Sequence, residues 1–221
     1  MILVRQHGDS GPPALLGEWL ERRGIDYVVS DSRTNHTPDV RDFDAVASLG
    51  CRYSPADRDV PQVQAEIGLI KGAVEHDVPV LGLCFGGQVL AHVLGGRIEA
   101  APTPELGWRE IETDEPDAIP AGPWLLWHYQ RFTTPPGATE VARTKDATQA
   151  FRHGRHLGLQ FHPESTTDIV EGWARKDAER LRTVGVTNGL ALIDAPTERK
   201  DAAKQAAFRL FDAFIGERAH D

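Results

Sequence analysis

A cysteine framed by two glycines is the residue of this chain with the strongest signature of chemistry. Cys84 lies at the centre of residues 82–86, Gly-Leu-Cys-Phe-Gly, between an apolar run and a helix-forming segment. This spacing is typical of a nucleophile elbow, in which a strained strand-to-helix turn exposes the reactive atom. The glycines permit close backbone contact, and the N-terminus of the following helix favours a thiolate. The pattern predicts a nucleophile rather than a small core cysteine.

A histidine that follows an apolar run supplies a base for this nucleophile. His162 lies in residues 157–164, Leu-Gly-Leu-Gln-Phe-His-Pro-Glu. Side chains at positions i and i+2 of an extended chain point to the same side, so the carboxylate of Glu164 can reach the imidazole, and Pro163 favours that extended conformation. We therefore predict that Cys84 is the nucleophile, that His162 acts as base and then as acid, and that Glu164 orients the imidazole.

The elements that must position these residues alternate between strand and helix in the first half of the chain. Apolar patterns predict strands at 2–4, 25–29, 43–49 and 78–83, and helices at 13–23, 60–76 and 88–94. This alternation predicts a parallel sheet covered by helices on both faces. Gly50 and Cys84 then fall at the carboxyl ends of strands, where ligands bind in such sheets.

The second half of the chain has a different pattern. Short strand-like segments separated by turn residues between about 107 and 161 predict antiparallel strands. Two further helices are predicted at 168–184 and 196–215. No repeat or linker interrupts the sequence, and its length suits a single domain spanning residues 1–221.

Composition and charge limit the possible partners. The 221 residues carry a net charge of −9 and no long basic run, which argues against nucleic acid and against an anionic membrane surface as partners. No segment is apolar for long enough to span a bilayer, and no signal-peptide core is present. Two cysteines make no disulfide framework, so a cytoplasmic location is expected. Metal-binding spacings of cysteine and histidine are lacking, so no metal site is predicted.

The two segments that carry Cys84 and His162 also resemble a known family. Residues 82–88, Gly-Leu-Cys-Phe-Gly-Gly-Gln, and 158–164, Gly-Leu-Gln-Phe-His-Pro-Glu, are similar to the two signatures of class I (triad-type) glutamine amidotransferases. The resemblance covers essentially the whole chain and is strongest to free-standing, GMP-synthase-like members. It implies a flavodoxin-like α/β fold, which is a doubly wound, mainly parallel central sheet with helices on both faces and an additional small antiparallel sheet.

The resemblance implies a specific reaction that needs no cofactor. The Cys84 thiolate attacks the side-chain amide of glutamine, ammonia leaves with a proton from His162, and water hydrolyses the glutamyl thioester. The Phe85 N–H and the loop at Gly50 and Cys51 are expected to form the oxyanion hole. Two further positions, Gln88 and His128, are expected to contact or shape the site of the substrate glutamine.

The chain departs from the family pattern at two places. The oxyanion loop usually begins with two glycines and a proline, whereas residues 50–52 are Gly-Cys-Arg. If the second position requires a positive φ, Cys51 is strained there. Residues 127–130, Trp-His-Tyr-Gln, replace a segment that commonly continues with Gly-Asp, which bears on the identity of the substrate. Because the resemblance places the two cysteines close together, a reversible Cys51–Cys84 disulfide is one hypothesis, although an unreactive Cys51 is the favoured interpretation.

Three functions remain open at this point. The first is an amidotransferase that delivers ammonia to a separate synthetase or acceptor domain, because the sequence has no phosphate-binding glycine-rich loop with which to activate an acceptor. The second is a stand-alone γ-glutamyl hydrolase or peptidase that uses the same triad. The third is a non-catalytic regulatory or binding module that keeps the fold.

Overall fold

The computed structural model describes residues 1–34 and 37–216 and contains ten strands and six α-helices within them. The strands are β1 (Ile2–Gln6), β2 (Tyr27–Asp31), β3 (Ala45–Ser48), β4 (Val80–Leu83), β5 (Ile98–Arg109), β6 (Glu112–Thr113), β7 (Trp124–Phe132), β8 (Thr139–Arg143), β9 (Thr148–His153) and β10 (His156–Leu159). The helices are α1 (Ala14–Arg23), α2 (Pro61–Glu75), α3 (Phe85–Val93), α4 (Thr167–Lys176), α5 (Ala178–Thr183) and α6 (Thr197–Phe211).

Eight strands form one sheet in the order β2-β1-β3-β4-β10-β9-β8-β6, and β5 and β7 form a separate antiparallel pair. The first five strands of that order are parallel, and the last three are antiparallel to their neighbours. The order β2-β1-β3-β4, with β10 in fifth position, is that of a flavodoxin-like sheet. The predicted fold class, including the small antiparallel sheet, is confirmed.

Both faces of the parallel sheet are covered by helices. Ile2 and Val4 of β1 point to the face that packs against α1 and α6. Leu3, between them, points to the opposite face, which packs against α2 and α3. Strands buried on both sides need apolar residues at successive positions, which is why β1, β3 and β4 are nearly continuous apolar runs.

A third hydrophobic cluster joins the small sheet to the C-terminal helices. Its buried members are Leu106, Trp108, Leu125, Trp127, Val170, Ala174, Leu181 and Ile193. The cluster holds β7 against α4 and α5, so Tyr129, which follows Trp127 on β7, lies beside Arg180 of α5. In the described part of the chain, no helix combines the length and apolar character needed to cross a membrane.

Several element boundaries differ from the sequence prediction, and three of these differences have an evident physical cause or lie at the site. Strand β5 begins at Ile98, well before the predicted start, because Pro102 and Pro104 disguise a long strand whose register shifts between Ala100 and Glu105. The predicted helix 168–184 is two helices that meet at Asp177, a residue with low helix propensity whose carboxylate accepts a hydrogen bond from Trp127. Helix α3 begins three residues earlier than predicted, directly after Cys84.

Candidate active site

The backbone of Cys84 is held in a conformation that L-amino acids rarely adopt. Its φ of 49° and ψ of −101° lie outside the ordinary regions, and α3 begins at the next residue. A Cβ on Gly82 would stand 2.6 Å from the backbone of Gly86, and a Cβ on Gly86 would stand 2.1 Å from the Ser48 carbonyl oxygen. Side chains are therefore excluded at both glycines. Strain of about 1–3 kcal/mol at one residue is characteristic of functional turns.

Sheet register brings the second signature beside this turn. Strand β10 lies parallel to β4 with Leu159 opposite Leu83, and the Cys84 N–H donates to the Leu159 carbonyl at 2.9 Å. The residues that follow β10 are therefore neighbours of Cys84. His162 is fixed in turn by its backbone N–H, which donates to the Leu125 carbonyl of β7 at 2.9 Å.

The imidazole of His162 is held between a carboxylate and the cysteine. Its Nδ1 lies 2.8 Å from Glu164 Oε1, and both side chains are buried. Burial, the largest single effect, lowers the pKa of His162, but the charges and hydrogen bonds of Cys84 and Glu164 together raise it to about 10. The imidazole consequently keeps its proton at neutral pH when it faces a thiolate. The ring of Trp173 packs against it with a centroid separation of 4.7 Å.

The expected oxyanion loop lies against the same two side chains. A Cβ on Gly50 would stand 2.7 Å from His162 Cε1 and 3.9 Å from the Cβ of Cys84. Neither Gly50 nor Cys51 has a positive φ, so the strain considered for a cysteine at position 51 does not arise. The Phe85 N–H belongs to the first turn of α3, where backbone donors lack an acceptor within the helix.

A cavity of about 650 Å³ opens over this constellation. Six of the eight residues predicted for the site line it: Gly50, Cys51, Cys84, Gln88, His128 and His162. Its lining also includes Arg52, Tyr129 and Arg180, which come from the loop after β3, from β7 and from α5. The volume lies in the ordinary range for small-molecule sites.

The two residues expected to contact the substrate direct most of their polar atoms into the protein. Gln88 Nε2 donates to the Gln130 carbonyl at 3.2 Å and to Gln160 Oε1 at 3.4 Å. His128 Nδ1 donates to the same carbonyl at 3.0 Å, and its Nε2 lies 3.2 Å from Glu105 Oε2. The side-chain oxygen of Gln88 and the ring edge of His128 are therefore the parts of these residues that are left to contact a substrate.

A buried ionic cluster behind the oxyanion loop was not predicted. Glu66 accepts hydrogen bonds from Ser48 Oγ at 2.7 Å and from Arg5 Nε at 3.1 Å. His7 Nε2 lies 3.8 Å from the same carboxylate, and its ring packs edge-on against Phe85 with centroids 5.0 Å apart. Burial is the main cause of the lowered pKa of His7, so this ring is neutral at pH 7. The cluster ties β1, β3 and α2 to the turn at Cys84.

Two of the unpredicted residues, Glu66 and Gln160, left a signal in the sequence. Glu66 lies on the apolar face of α2, three residues after Val63 and four before Ile70, where an unpaired charge is costly. Gln160 is a polar residue that interrupts an apolar run, and its Nε2 lies 3.7 Å from the sulfur of Cys84. Trp173 repeats the apolar spacing of its helix, and nothing in that spacing distinguishes a core residue from one that covers His162.

The second cysteine differs from the first in its environment. Both cysteines are free, and burial raises the pKa of Cys51 to about 11. A thiol with so high a pKa is largely protonated at pH 7, which makes it a poor partner in thiol–disulfide exchange. Within residues 1–34 and 37–216, no group of three or more histidine, cysteine or acidic side chains is arranged to hold a metal ion.

Comparisons with known proteins show the family to which the chain belongs. Residues 21–170, more than half of the chain, match the family model for glutamine amidotransferase class-I. A glutamine-hydrolyzing GMP synthase from Aeropyrum pernix is 29% identical over 178 residues, which cover 64% of this chain and 34% of that protein. The chain thus spans about a third of the length of this curated relative.

Two solved structures have the same fold over nearly their full length. A glutamine amido transferase from Methylobacillus flagellatus has a TM-score of 0.82 at 26% identity, with 97% of this chain and 94% of that chain covered. A glutamine amidotransferase from Thermotoga maritima has a TM-score of 0.85 at 20% identity, with 100% and 98% covered, and shows the shared fold. The chain belongs to the class I glutamine amidotransferase family.

Proposed function

We propose that this protein hydrolyses the side-chain amide of glutamine to glutamate and ammonia through Cys84, His162 and Glu164. The observation that carries the proposal is the state of His162, whose Nδ1 is 2.8 Å from Glu164 while its pKa is raised to about 10 beside Cys84. A protonated imidazole next to a thiolate is the form that a cysteine nucleophile and its acid require. We also propose that residues 1–221 act as one domain in the cytoplasm.

The first half of the reaction forms a thioester. The Cys84 thiolate attacks the carbonyl carbon of the glutamine side-chain amide, and the carbonyl electrons move onto oxygen. The backbone N–H groups of Phe85 and of the loop at Gly50 and Cys51 are the donors proposed for that oxyanion. When the intermediate collapses, the C–N bond breaks and the imidazolium of His162 gives its proton to the leaving nitrogen, so ammonia departs and His162 becomes neutral.

The second half of the reaction restores the resting pair. Neutral His162 takes a proton from water, and the resulting hydroxide attacks the thioester carbon. Collapse of this second tetrahedral intermediate breaks the C–S bond, returns the electron pair to sulfur and releases glutamate. Throughout the cycle Glu164 holds the Nδ1 proton of His162 and stabilises its positive charge, as the acidic member of a triad does.

The ammonia acceptor is proposed to lie outside this chain. The match to the GMP synthase from Aeropyrum pernix covers 34% of that protein, and the rest of that protein lies outside the match. We propose a separate synthetase or acceptor domain as the partner. Arg52, Lys176 and Arg180 at the cavity would be near such a docking surface.

Steady-state ammonia release from glutamine tests the function. We expect Cys84→Ala and His162→Gln to lower kcat by roughly 10³-fold or more, since a triad loses most of its advantage with any one member. The matched control is His76→Gln, which changes an exposed histidine at the end of α2. Ammonia release by Cys84→Ala at the wild-type rate would exclude the proposed mechanism.

One observation favours a second candidate, a γ-glutamyl hydrolase or peptidase with the same triad. The hydroxyl of Tyr129 is buried without a hydrogen-bond partner, and the Arg180 guanidinium lies 3.6 Å from the centre of its ring. Both line a cavity of about 650 Å³, which has room beyond a glutamine side chain. A panel of glutamine and γ-glutamyl dipeptides separates the candidates, because an amidotransferase releases ammonia from glutamine without cleaving the dipeptides.

A further inference from the structure

A fully buried amide directed at the nucleophile belongs to neither the expected triad nor the expected oxyanion hole. Gln160 is 0% exposed, and its Nε2 lies 3.7 Å from the sulfur of Cys84. Its position is not accidental, because the backbone N–H of Cys84 is bonded to the carbonyl of the preceding residue, Leu159. The backbone N–H of Gln160 donates to the Gln149 carbonyl at 2.8 Å, which fixes the other side of the residue.

The orientation of this amide is set by neighbouring groups. The Gln130 carbonyl can only accept, so the Gln88 atom 3.2 Å from it must be the nitrogen. That nitrogen also lies 3.4 Å from one end of the Gln160 amide, which must therefore be the oxygen. The nitrogen of Gln160 consequently faces the sulfur, and this assignment rests on a backbone atom whose role is unambiguous.

We propose that Gln160 is a further catalytic residue, whose amide N–H donates a hydrogen bond to the Cys84 sulfur and stabilises it as a thiolate, and that Gln88 is the positioning residue that orients this amide. The inference rests on the proposed glutamine hydrolysis and deepens it. Hydrogen bonds to a charged acceptor are roughly twice as strong as neutral ones. The bond is therefore strong when sulfur is anionic and weak when sulfur carries the acyl group.

The step that gains most is the release of glutamate. In that step the C–S bond breaks and its electron pair returns to sulfur, so charge develops next to the Gln160 N–H. Attack on glutamine runs in the opposite direction and consumes the sulfur charge. Loss of the donor therefore slows deacylation more than acylation, because only interactions stronger in the transition state accelerate a step.

The departure of this chain from the family pattern at positions 129 and 130 does not affect the hydrogen bonds of Gln88 and Gln160. Gln88 donates to the backbone carbonyl of residue 130, which any residue type at that position would provide. His128 Nδ1 donates to the same carbonyl at 3.0 Å and anchors it. These hydrogen bonds thus connect Gln130, in the cavity lining, through the side-chain amides of Gln88 and Gln160 to the sulfur of Cys84.

The test is rapid-quench kinetics on Gln160→Met, which keeps the size of the side chain and removes the donor. We expect deacylation to slow by roughly 10- to 100-fold, the value of a hydrogen bond to a charged group. Ammonia should then appear in a burst equal to the protein concentration, and acid-quenched samples should carry a glutamyl group on Cys84. Gln88→Met should change the same quantities in the same direction by a smaller factor, and it serves if Gln160→Met fails to fold.

The matched control is Gln149→Met, which removes another fully buried glutamine. Its Nε2 donates to Glu105 rather than to the sulfur, so no burst is expected. A second measurement needs no turnover, since the ultraviolet absorbance of the Cys84 thiolate at neutral pH should fall in Gln160→Met, with Cys84→Ala as the baseline.

The outcomes separate this inference from the proposed function. An active wild type whose Gln160→Met variant keeps its kcat, shows no burst and keeps its thiolate absorbance overturns the role of Gln160 and leaves glutamine hydrolysis standing. A wild type that releases no ammonia overturns the function, and the absorbance alone then decides whether Gln160 stabilises the thiolate.

Discussion

Gly50 lies directly against the imidazole of His162, and a Cβ on residue 50 would stand 2.7 Å from Cε1 of that ring. The imidazole cannot easily move away, because Glu164 holds its Nδ1 at 2.8 Å and Trp173 packs on its face. The absence of a side chain at position 50 therefore sets the distance between the loop after β3 and the proposed general acid. This relationship makes the loop and the triad one geometric unit.

The first prediction concerns that contact. We expect Gly50→Ala to lower kcat for glutamine by about 100-fold, because a displacement of about 1 Å in a reacting group has that effect. The backbone φ at position 50 is not positive, so the loss of unfolding free energy should be limited to about 1–3 kcal/mol, the usual cost of overpacking against a side chain that cannot easily move away. Gly68→Ala is the control, because a Cβ at that exposed helical position meets nothing within 4 Å. Equal kcat for both variants would refute the contact.

The second prediction concerns the carboxylate of Glu164. Replacement by glutamine keeps an acceptor for the Nδ1 proton but removes the charge that helps to raise the pKa of His162. We expect kcat to fall by roughly 10²- to 10⁴-fold with little change in KM, as for loss of charge in other triads. Glu171→Gln, which removes an exposed partner of Arg175 on α4, is the matched control. A large rise in KM with kcat unchanged would place Glu164 in binding instead.

The third prediction concerns the buried cluster behind the loop. Glu66→Gln leaves the Arg5 guanidinium buried without a counter-charge, which costs about 3–5 kcal/mol of unfolding free energy. Glu75→Gln on the same helix breaks an exposed pair with Lys71 and should cost less than about 1 kcal/mol. Urea unfolding of the two variants measures the difference, and similar values would show that the cluster is not a structural support.

These positions also show what the sequence predicts and what it leaves open. The turn at Cys84 was predictable because it is local: glycines two residues to either side dictate it within five residues of chain. The placement of Gln160 beside Cys84 was not predictable, because it depends on β4 and β10 being neighbours in the sheet, and five other strands lie between these two along the chain. Pairing of distant strands leaves no short-range pattern.

A similar contrast separates the helices. The C-terminal end of α1 was predictable from Gly24, which adopts a left-handed conformation with φ 65°. The division between α4 and α5 was not, because the amphipathic pattern continues through Asp177 and the break depends on a bond from Trp127, fifty residues away in the sequence. The sequence predicts only part of the role of Glu66. Its position on an apolar face requires a partner, but the sequence does not identify Arg5 as that partner.

The fourth prediction is a dependence of stability on pH that originates at Cys51. Burial raises the pKa of this thiol from about 9 to about 11, so the folded state holds its proton over a range in which the unfolded chain has lost it. The contribution of Cys51 to stability is complete below about pH 9 and declines as pH rises towards 11. Urea unfolding at pH 9 and at pH 11 should show that the free energy of unfolding declines less in Cys51→Ala than in the wild type, by about 2 kcal/mol. Identical declines would contradict the burial of this thiol.

The most direct test of the account is the position at which a glutamine-like electrophile reacts. The sequence has two cysteines, and both line the same cavity, so Cys51 is an internal control for Cys84. After treatment with a diazoketone analogue of glutamine, peptide mapping by mass spectrometry should find Cys84 alkylated, Cys51 unmodified and the reaction suppressed by free glutamine. Alkylation of Cys51 in preference to Cys84, or labelling that glutamine does not suppress, would contradict the assignment of Cys84 as the nucleophile of a glutamine site.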